Sequence, residues 1–176
     1  MLGRHAESLI RSGQASEEDF TPFASPSPAR LLIETFDYLE LCCGPSAPLC
    51  SEFSRQGFRT GPKIDLKVHS FWNLQDDRVL AWILFLLRNR RVRHLHSGVP
   101  CTTFSVARHP KLRSAHSPWG LKPGDPITRC GNFLLQFVLL CLRIVSKDPL
   151  MSGSHEHPDS AFSWKILEWQ VFCPGA

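Results

Sequence analysis

Short apolar runs, each closed by a turn rich in glycine or proline and separated by helix-length stretches, recur along this chain from Ala29 onward. Leu39-Glu40-Leu41-Cys42-Cys43 runs into Gly44-Pro45, Lys63-Ile64-Asp65-Leu66 follows Gly61-Pro62, and Val92-Arg93-His94-Leu95-His96-Ser97 runs into Gly98. Leu150-Met151-Ser152-Gly153-Ser154-His155 makes a fourth run. Runs this short, bounded by turn residues, read as strands. Between them, Pro48 to Gln56 reads as a helix closed by Gly57 at its C-terminal cap. Asp76 or Asp77 caps a helix running to about Arg90, whose Arg88, Arg90 and Arg91 complement the helix dipole. Ile127 to Lys147 is a long apolar helix, and Ser160 to Trp169 a final one. Strand alternating with helix at this spacing predicts an α/β fold with a doubly wound, mostly parallel sheet. Ligands bind such sheets outside the carboxyl ends of the strands.

Residues 1–30 read differently. Pro22, Pro26 and Pro28 rule out a helix over 22–28 and remove donors from any ladder, leaving room for a short helix near Ala6 to Arg11. A flexible Pro/Ser-rich leader is expected at 1–30, with the folded domain over 31–176. The longest uninterrupted apolar run, Val79 to Leu87, is far short of the roughly 20 residues that a membrane span requires. The first residues lack the apolar block of a signal peptide. A soluble, intracellular protein without membrane attachment is expected. The net charge of +4 permits a polyanionic partner without requiring one. The 7 cysteines include an adjacent pair and form no C-x-x-C motif, so buried free thiols are expected rather than a disulfide scaffold.

Three segments at strand ends carry chemistry. The first is the turn from Glu40 through Cys43, Gly44, Pro45 and Ser46, whose small residues let backbone approach a ligand closely. It is neither a dinucleotide fingerprint nor a phosphate loop. Asp65, at the end of the next strand, is the residue type that accepts hydrogen bonds from ribose hydroxyls, or else a turn cap. The second is Gly98-Val99-Pro100-Cys101-Thr102-Thr103-Phe104-Ser105, where a rigid backbone holds a partly exposed thiol, the placement that a nucleophile needs. It opens a long loop, Gly98 to Asp125, carrying Arg108, Lys111 and Arg113, which are expected to face a polyanion or plain solvent. The third is His155-Glu156-His157-Pro158-Asp159-Ser160, which puts a carboxylate on the sheet rim to donate or accept a proton.

The order of these segments resembles the DNA (cytosine-5) methyltransferases. In that family an acidic residue and a Leu-Phe-Ala-Gly-type turn bind S-adenosylmethionine; Glu40-Leu41-Cys42-Cys43-Gly44 is similar to it, with Cys in place of Phe and Ala. Gly57 matches the glycine ending the family's next helix, and Asp65 its ribose-binding acid. The nucleophile motif Pro-Cys-Gln-x-Phe-Ser is matched by Pro100-Cys101-Thr102-Thr103-Phe104-Ser105 in all but the Gln. Glu156-His157-Pro158 matches the Glu-Asn-Val or Glu-Asn-Pro motif. The resemblance covers about residues 38–169. It implies a Rossmann-like methyltransferase fold, S-adenosylmethionine held by Glu40, Cys43, Gly44, Pro45, Ser46 and Asp65, and catalysis by Cys101 and Glu156. It also implies a DNA partner met by Ser105, Arg108, Lys111 and Arg113, nuclear in a eukaryote. Asn73 or Asp76 would contact the adenine. The family's Gln-x-Arg-x-Arg segment, target-recognition region and closing cofactor motif have no counterpart here, so the expectation is a catalytic half, incomplete at the C-terminus.

Two other readings stay open. One is a binding module that keeps the fold without the chemistry. The other is a metal site, should His94, His96, His155 and His157 converge from neighbouring strands. A cysteine hydrolase is weaker, because no histidine is tied by sequence to Cys101.

Overall fold

The computed structural model describes residues 34–122 and 124–171, so the expected leader lies outside the described residues. Three strands, β1 (Phe36–Leu41), β2 (Val92–Ser97) and β3 (Ser152–His155), pair in the order β1-β2-β3, all parallel. Among the described residues the fold is therefore mixed α/β, with three α-helices: α1 (Pro48–Arg55), α2 (Asp77–Arg88) and α3 (Pro126–Val145).

The expected strand at Lys63 to Leu66 forms only bridges, Tyr38 to Thr60 and Leu41 to Ile64. Pro62 withholds a donor from the middle of this segment, and Gly61 crosses so close to β1 that a Cβ there would sit 2.3 Å from Leu39 Cδ1. The segment still follows the free edge of β1, because the amides of Asp37, Gly61 and Cys42 bond to Arg59 O, Tyr38 O and Ile64 O. From β1 the chain thus passes to one side through α1 and then to the other side at β2. The carboxyl ends of β1 and β2 flank this switch in direction.

Strand parity sorts the core. Tyr38 packs with Cys43, Ala47, Cys50 and Phe53 against α1. Leu39, Leu41 and Leu95 join α2 and α3 in the main core on the other face. α2 is buried nearly all round, as a helix apolar on every side must be. Its N-cap is Asp76, which accepts from Arg78 N, and Asp125 caps α3 in the same way through Thr128 N. Among the described helices α3 has the length and hydropathy to cross a membrane; here half of its most apolar stretch is buried, and it packs on α2, β2 and β3.

α1 lacks a side-chain cap from its own N-cap residue, Ala47, whose backbone is left-handed (φ 43°). The buried carboxylate of Glu40 supplies one instead, accepting from Cys50 N at 3.2 Å. Gly57, at φ 88°, turns the chain away after the helix.

The final helix expected over Ser160 to Trp169 is broken into two 3-10 turns, Phe162–Lys165 and Leu167–Val171, with extended backbone at Ile166 between them. Burial of Ala161, Ile166 and Trp169 against the core overrides local helix continuity.

Candidate functional site

Two cavities open at the carboxyl end of the sheet. The first, about 440 Å³, lies between the turn after β1, the segment around Asp65 and the N-terminal half of α3. That volume is in the range of small-molecule clefts, about 300–1,000 Å³. Gly44, Asp65, Trp72, Asn73, Cys130 and Leu134 are among the residues that line it. The second, about 480 Å³, is lined by Gly98 to Thr102 on one side and Glu156 to Pro158 on the other. Gly98 and Pro100 line both, so the cavities adjoin across the loop that follows β2.

The turn after β1 begins in left-handed backbone at Cys42 (φ 57°) and again at Gly44 (φ 69°). Asp65 holds it: Oδ2 accepts from Gly44 N at 2.9 Å, and Oδ1 from Lys67 N at 2.7 Å. Asp65 is therefore a turn clamp as well as a cavity-lining carboxylate. Each oxygen keeps a second lone pair for a ligand hydroxyl. Asn73 lines the same cavity, with Oδ1 accepting from Gln75 N. Asp76 is engaged elsewhere, with Arg78.

Of Glu40, Cys43, Gly44, Pro45, Ser46 and Asp65, only Gly44 and Asp65 line this cavity; of the two candidates for the adenine contact, Asn73 does. Glu40 faces α1 as its cap, and Cys43 packs beneath that helix. Pro45 and Ser46 belong to the same turn but do not line the cavity. Cys42, inside the expected turn, lines it, as do Trp72, Gln75 and Cys130, of which sequence spacing gave no sign.

Cys101 opens a 3-10 turn, Cys101–Thr103, directly after Pro100, and is half-buried. Burial pushes the thiols of Cys42 and Cys50 up to about 12 and that of Cys43 to about 11, and raises Cys141 further. A thiol held protonated is a poor nucleophile. Cys101 lines the second cavity, which also holds the carboxylate of Glu156. Glu156 reaches the same cavity because its amide donates to Ser97 O at 3.0 Å, fastening the end of β3 to the end of β2. His157 is a second fastening, bonded through Nε2 to Val99 O (3.0 Å) and through Nδ1 to Ser163 Oγ (2.6 Å). With both ring nitrogens taken, His157 is not a base for Cys101, which removes the geometry that a cysteine hydrolase needs.

The loop after Cys101 corrects one expectation outright. Arg113 does not face a polyanion: it is 1% exposed. Its guanidinium donates to Thr103 O (2.9 Å), Thr103 Oγ1 (3.2 Å), Thr128 O (3.2 Å), Pro118 O (2.8 Å) and Asn132 Oδ1 (2.6 Å). It also stacks 3.7 Å over the Phe104 ring. Burial pushes the group down to about 10, so it stays charged at neutral pH. Gly131 of α3 makes room for it, since a Cβ there would lie 3.1 Å from Arg113 Nη2 and would clash with Thr103 Oγ1. Arg113 is thus the internal tie of the long loop. A loop with so many carbonyls turned inward needs a buried polydentate donor. Lys111 is exposed, while Arg108 and Ser105 are half-buried; Ser105 Oγ accepts from Ala107 N.

The four histidines do not converge. His94 and His96 stand on the face of Tyr38, paired in register with Ser152 and Ser154. His155 pairs with Ser97 on the opposite face, among Trp164 and Trp169. Among the described residues no group of three or more metal-ligating side chains comes together.

Comparison of the chain with models of protein families, with curated proteins and with solved structures finds no match.

Proposed function

We propose that this chain is a DNA cytosine-5 methyltransferase-like domain with a Rossmann-like sheet, using S-adenosylmethionine as methyl donor and Cys101 as nucleophile. The observation that carries the reading is the pairing of Cys101 and Glu156, distant in sequence, on the second cavity, which adjoins the first cavity lined by Gly44 and Asp65. The motif resemblance of Pro100 to Ser105 supports the same assignment, as does the position of the first cavity where the strand order reverses.

The first cavity fits the donor in character. It offers the Asp65 carboxylate to ribose hydroxyls, the Asn73 amide to a base edge, and Trp72, Leu74 and Leu134 as apolar walls. When bound, S-adenosylmethionine supplies an electrophilic methyl group. The remaining chemistry belongs to the chain. A cytosine flipped from the duplex enters the second cavity. The Cys101 thiolate adds to C6, and Glu156 holds a proton at N3, which makes the ring a better electrophile. After methylation at C5, loss of the C5 proton to water expels the Cys101 thiolate from C6 and restores the aromatic ring.

Two measurements test this. Calorimetric titration with S-adenosylhomocysteine is expected to show binding that weakens by about 1.5–3 kcal/mol in Asp65→Ala, the worth of a hydrogen bond to a charged group. Equal affinity for both proteins would sink the assignment of this cavity. A duplex carrying 5-fluorocytosine blocks the final proton loss and is expected to trap an adduct that Cys101→Ser cannot form. Ligand binding with no adduct at all would favour a module that keeps the fold without the chemistry.

A further inference from the structure

Beneath the second cavity, polar side chains form a continuous row on one face of the sheet. Ser152 Oγ lies 2.8 Å from His94 Nδ1, His94 Nε2 lies 2.9 Å from Ser154 Oγ, and Ser154 Oγ lies 2.8 Å from His96 Nδ1. The row ends at His96 Nε2, which is buried and makes no hydrogen bond among the described residues. His96 as a whole is 8% exposed. Its Nε2 stands 3.9 Å from Glu156 Oε2, on a side chain that is largely free to move. A buried nitrogen without a partner costs about 1–3 kcal/mol. A movement of about 1 Å by Glu156 would satisfy it, and catalytic hydrogen bonds are often long before substrate binds.

The parallel register builds this row. His94 and His96 sit two apart on β2, Ser152 and Ser154 two apart on β3, and the pairing sets them opposite one another. On the β1 side His96 meets Glu40 in register and the ring of Tyr38 at 6.4 Å.

We propose that His96 is the positioning residue for Glu156, and that Ser152, His94 and Ser154 form with it a proton relay from the exposed edge of the sheet to that carboxylate. The catalytic part of this rests on the function proposed above. The row has two self-consistent proton orders. With Glu156 charged, Ser152 donates to His94 Nδ1, His94 Nε2–H to Ser154, Ser154 to His96 Nδ1, and His96 Nε2–H to Glu156. With Glu156 neutral, every donor reverses and the carboxylic acid donates to His96 Nε2. Passing from the first order to the second moves one proton into Glu156 and takes one from water at Ser152, which is exposed. No group in the row gains net charge. Glu156 is then loaded with the proton that it presents to N3 of the base.

Long-range ¹H–¹⁵N spectra of histidine rings report tautomers directly, and they require no activity. In the full chain at neutral pH, His96 is expected as the Nε2–H tautomer with Nδ1 an acceptor. Ser154→Ala is expected to mix the tautomers, and Glu156→Ala to speed exchange of the Nε2–H proton. An Nδ1–H tautomer in the wild type, or a His96 signal indifferent to both substitutions, would overturn the relay. In the trapping assay His96→Ala is expected to slow adduct formation about tenfold or more, with partial rescue by His96→Gln, which keeps an N–H near the Nε2 position. Trapping unaffected by His96→Ala overturns the proposal while leaving the function standing. The expected tautomer in a chain that binds no S-adenosylhomocysteine keeps the hydrogen-bond assignment and overturns its catalytic role.

Discussion

Removing the guanidinium of Arg113 tests the loop that presents Cys101. The group donates five hydrogen bonds, and two of its acceptors belong to Thr103, inside the turn that Cys101 opens. Among the described residues no carboxylate receives it directly, so its charge is offset by carbonyl dipoles, Asn132 and the face of Phe104. Arg113→Ala leaves several buried acceptors unsatisfied at about 1–3 kcal/mol each. It also opens a void against Gly131 and Phe104. Losing the desolvated charge returns part of this, so the net cost should be on the order of 3–5 kcal/mol. Arg113→Lys keeps the charge, but a compact ammonium with three donors cannot span the same acceptors. Its cost is expected to be about 2 kcal/mol. Urea unfolding measures both values. Hydrogen exchange of the Phe104 amide, which bonds to Cys101 O at 2.8 Å, reports whether the turn itself loosens. An Arg113→Ala protein within about 1 kcal/mol of wild type, with Phe104 equally protected, would refute the reasoning.

Three further outcomes are expected. Burial, and then the neighbouring His157, pushes His155 down to about 3 from an ordinary 6.5, so the unfolded chain binds this proton more readily than the folded one. Its contribution is therefore complete above pH 6.5, is lost by up to about 1.4 kcal/mol for each pH unit below that, and levels off near pH 3; a His155→Phe protein should show a shallower fall in acid unfolding monitored by tryptophan fluorescence. Gly98→Ala places a Cβ 3.1 Å from Glu156 Oε1 and 3.3 Å from Cys42 O, so it should change stability by no more than about 1 kcal/mol yet displace Glu156 and slow adduct trapping, and trapping at the wild-type rate would contradict the close approach. If DNA binds, changing both Arg108 and Lys111 to Gln should reduce the slope of log affinity against log salt by about 2, whereas an unchanged slope would remove this loop from the DNA contact.

The strand and helix succession was legible because each signal is local. Apolar runs ending at glycine, Asp76 or Asp77 as a cap, and Gly57 after α1 depend on a few neighbouring residues, and these elements form close to where the sequence puts them. Cys101 and Glu156 were legible as candidates because each follows a strand, and parallel strands deliver such residues to one edge of the sheet. The partners of the other side chains were not legible. Arg113 and Lys111 lie two apart in the same polar loop, and only packing against Gly131 of α3 buries the one and leaves the other exposed. Glu40 looks like a ligand acid from its place at a strand end, yet the uncapped N-terminus of α1 claims its carboxylate. His94, His96 and His155 carry the same chemistry in sequence, and the register of β2 with β3 sends two to one face and the third to the other. Local propensity and apolar periodicity act over a few residues and so are written in the chain. Which polar group satisfies which depends on contacts between distant segments, and the three-dimensional packing decides them.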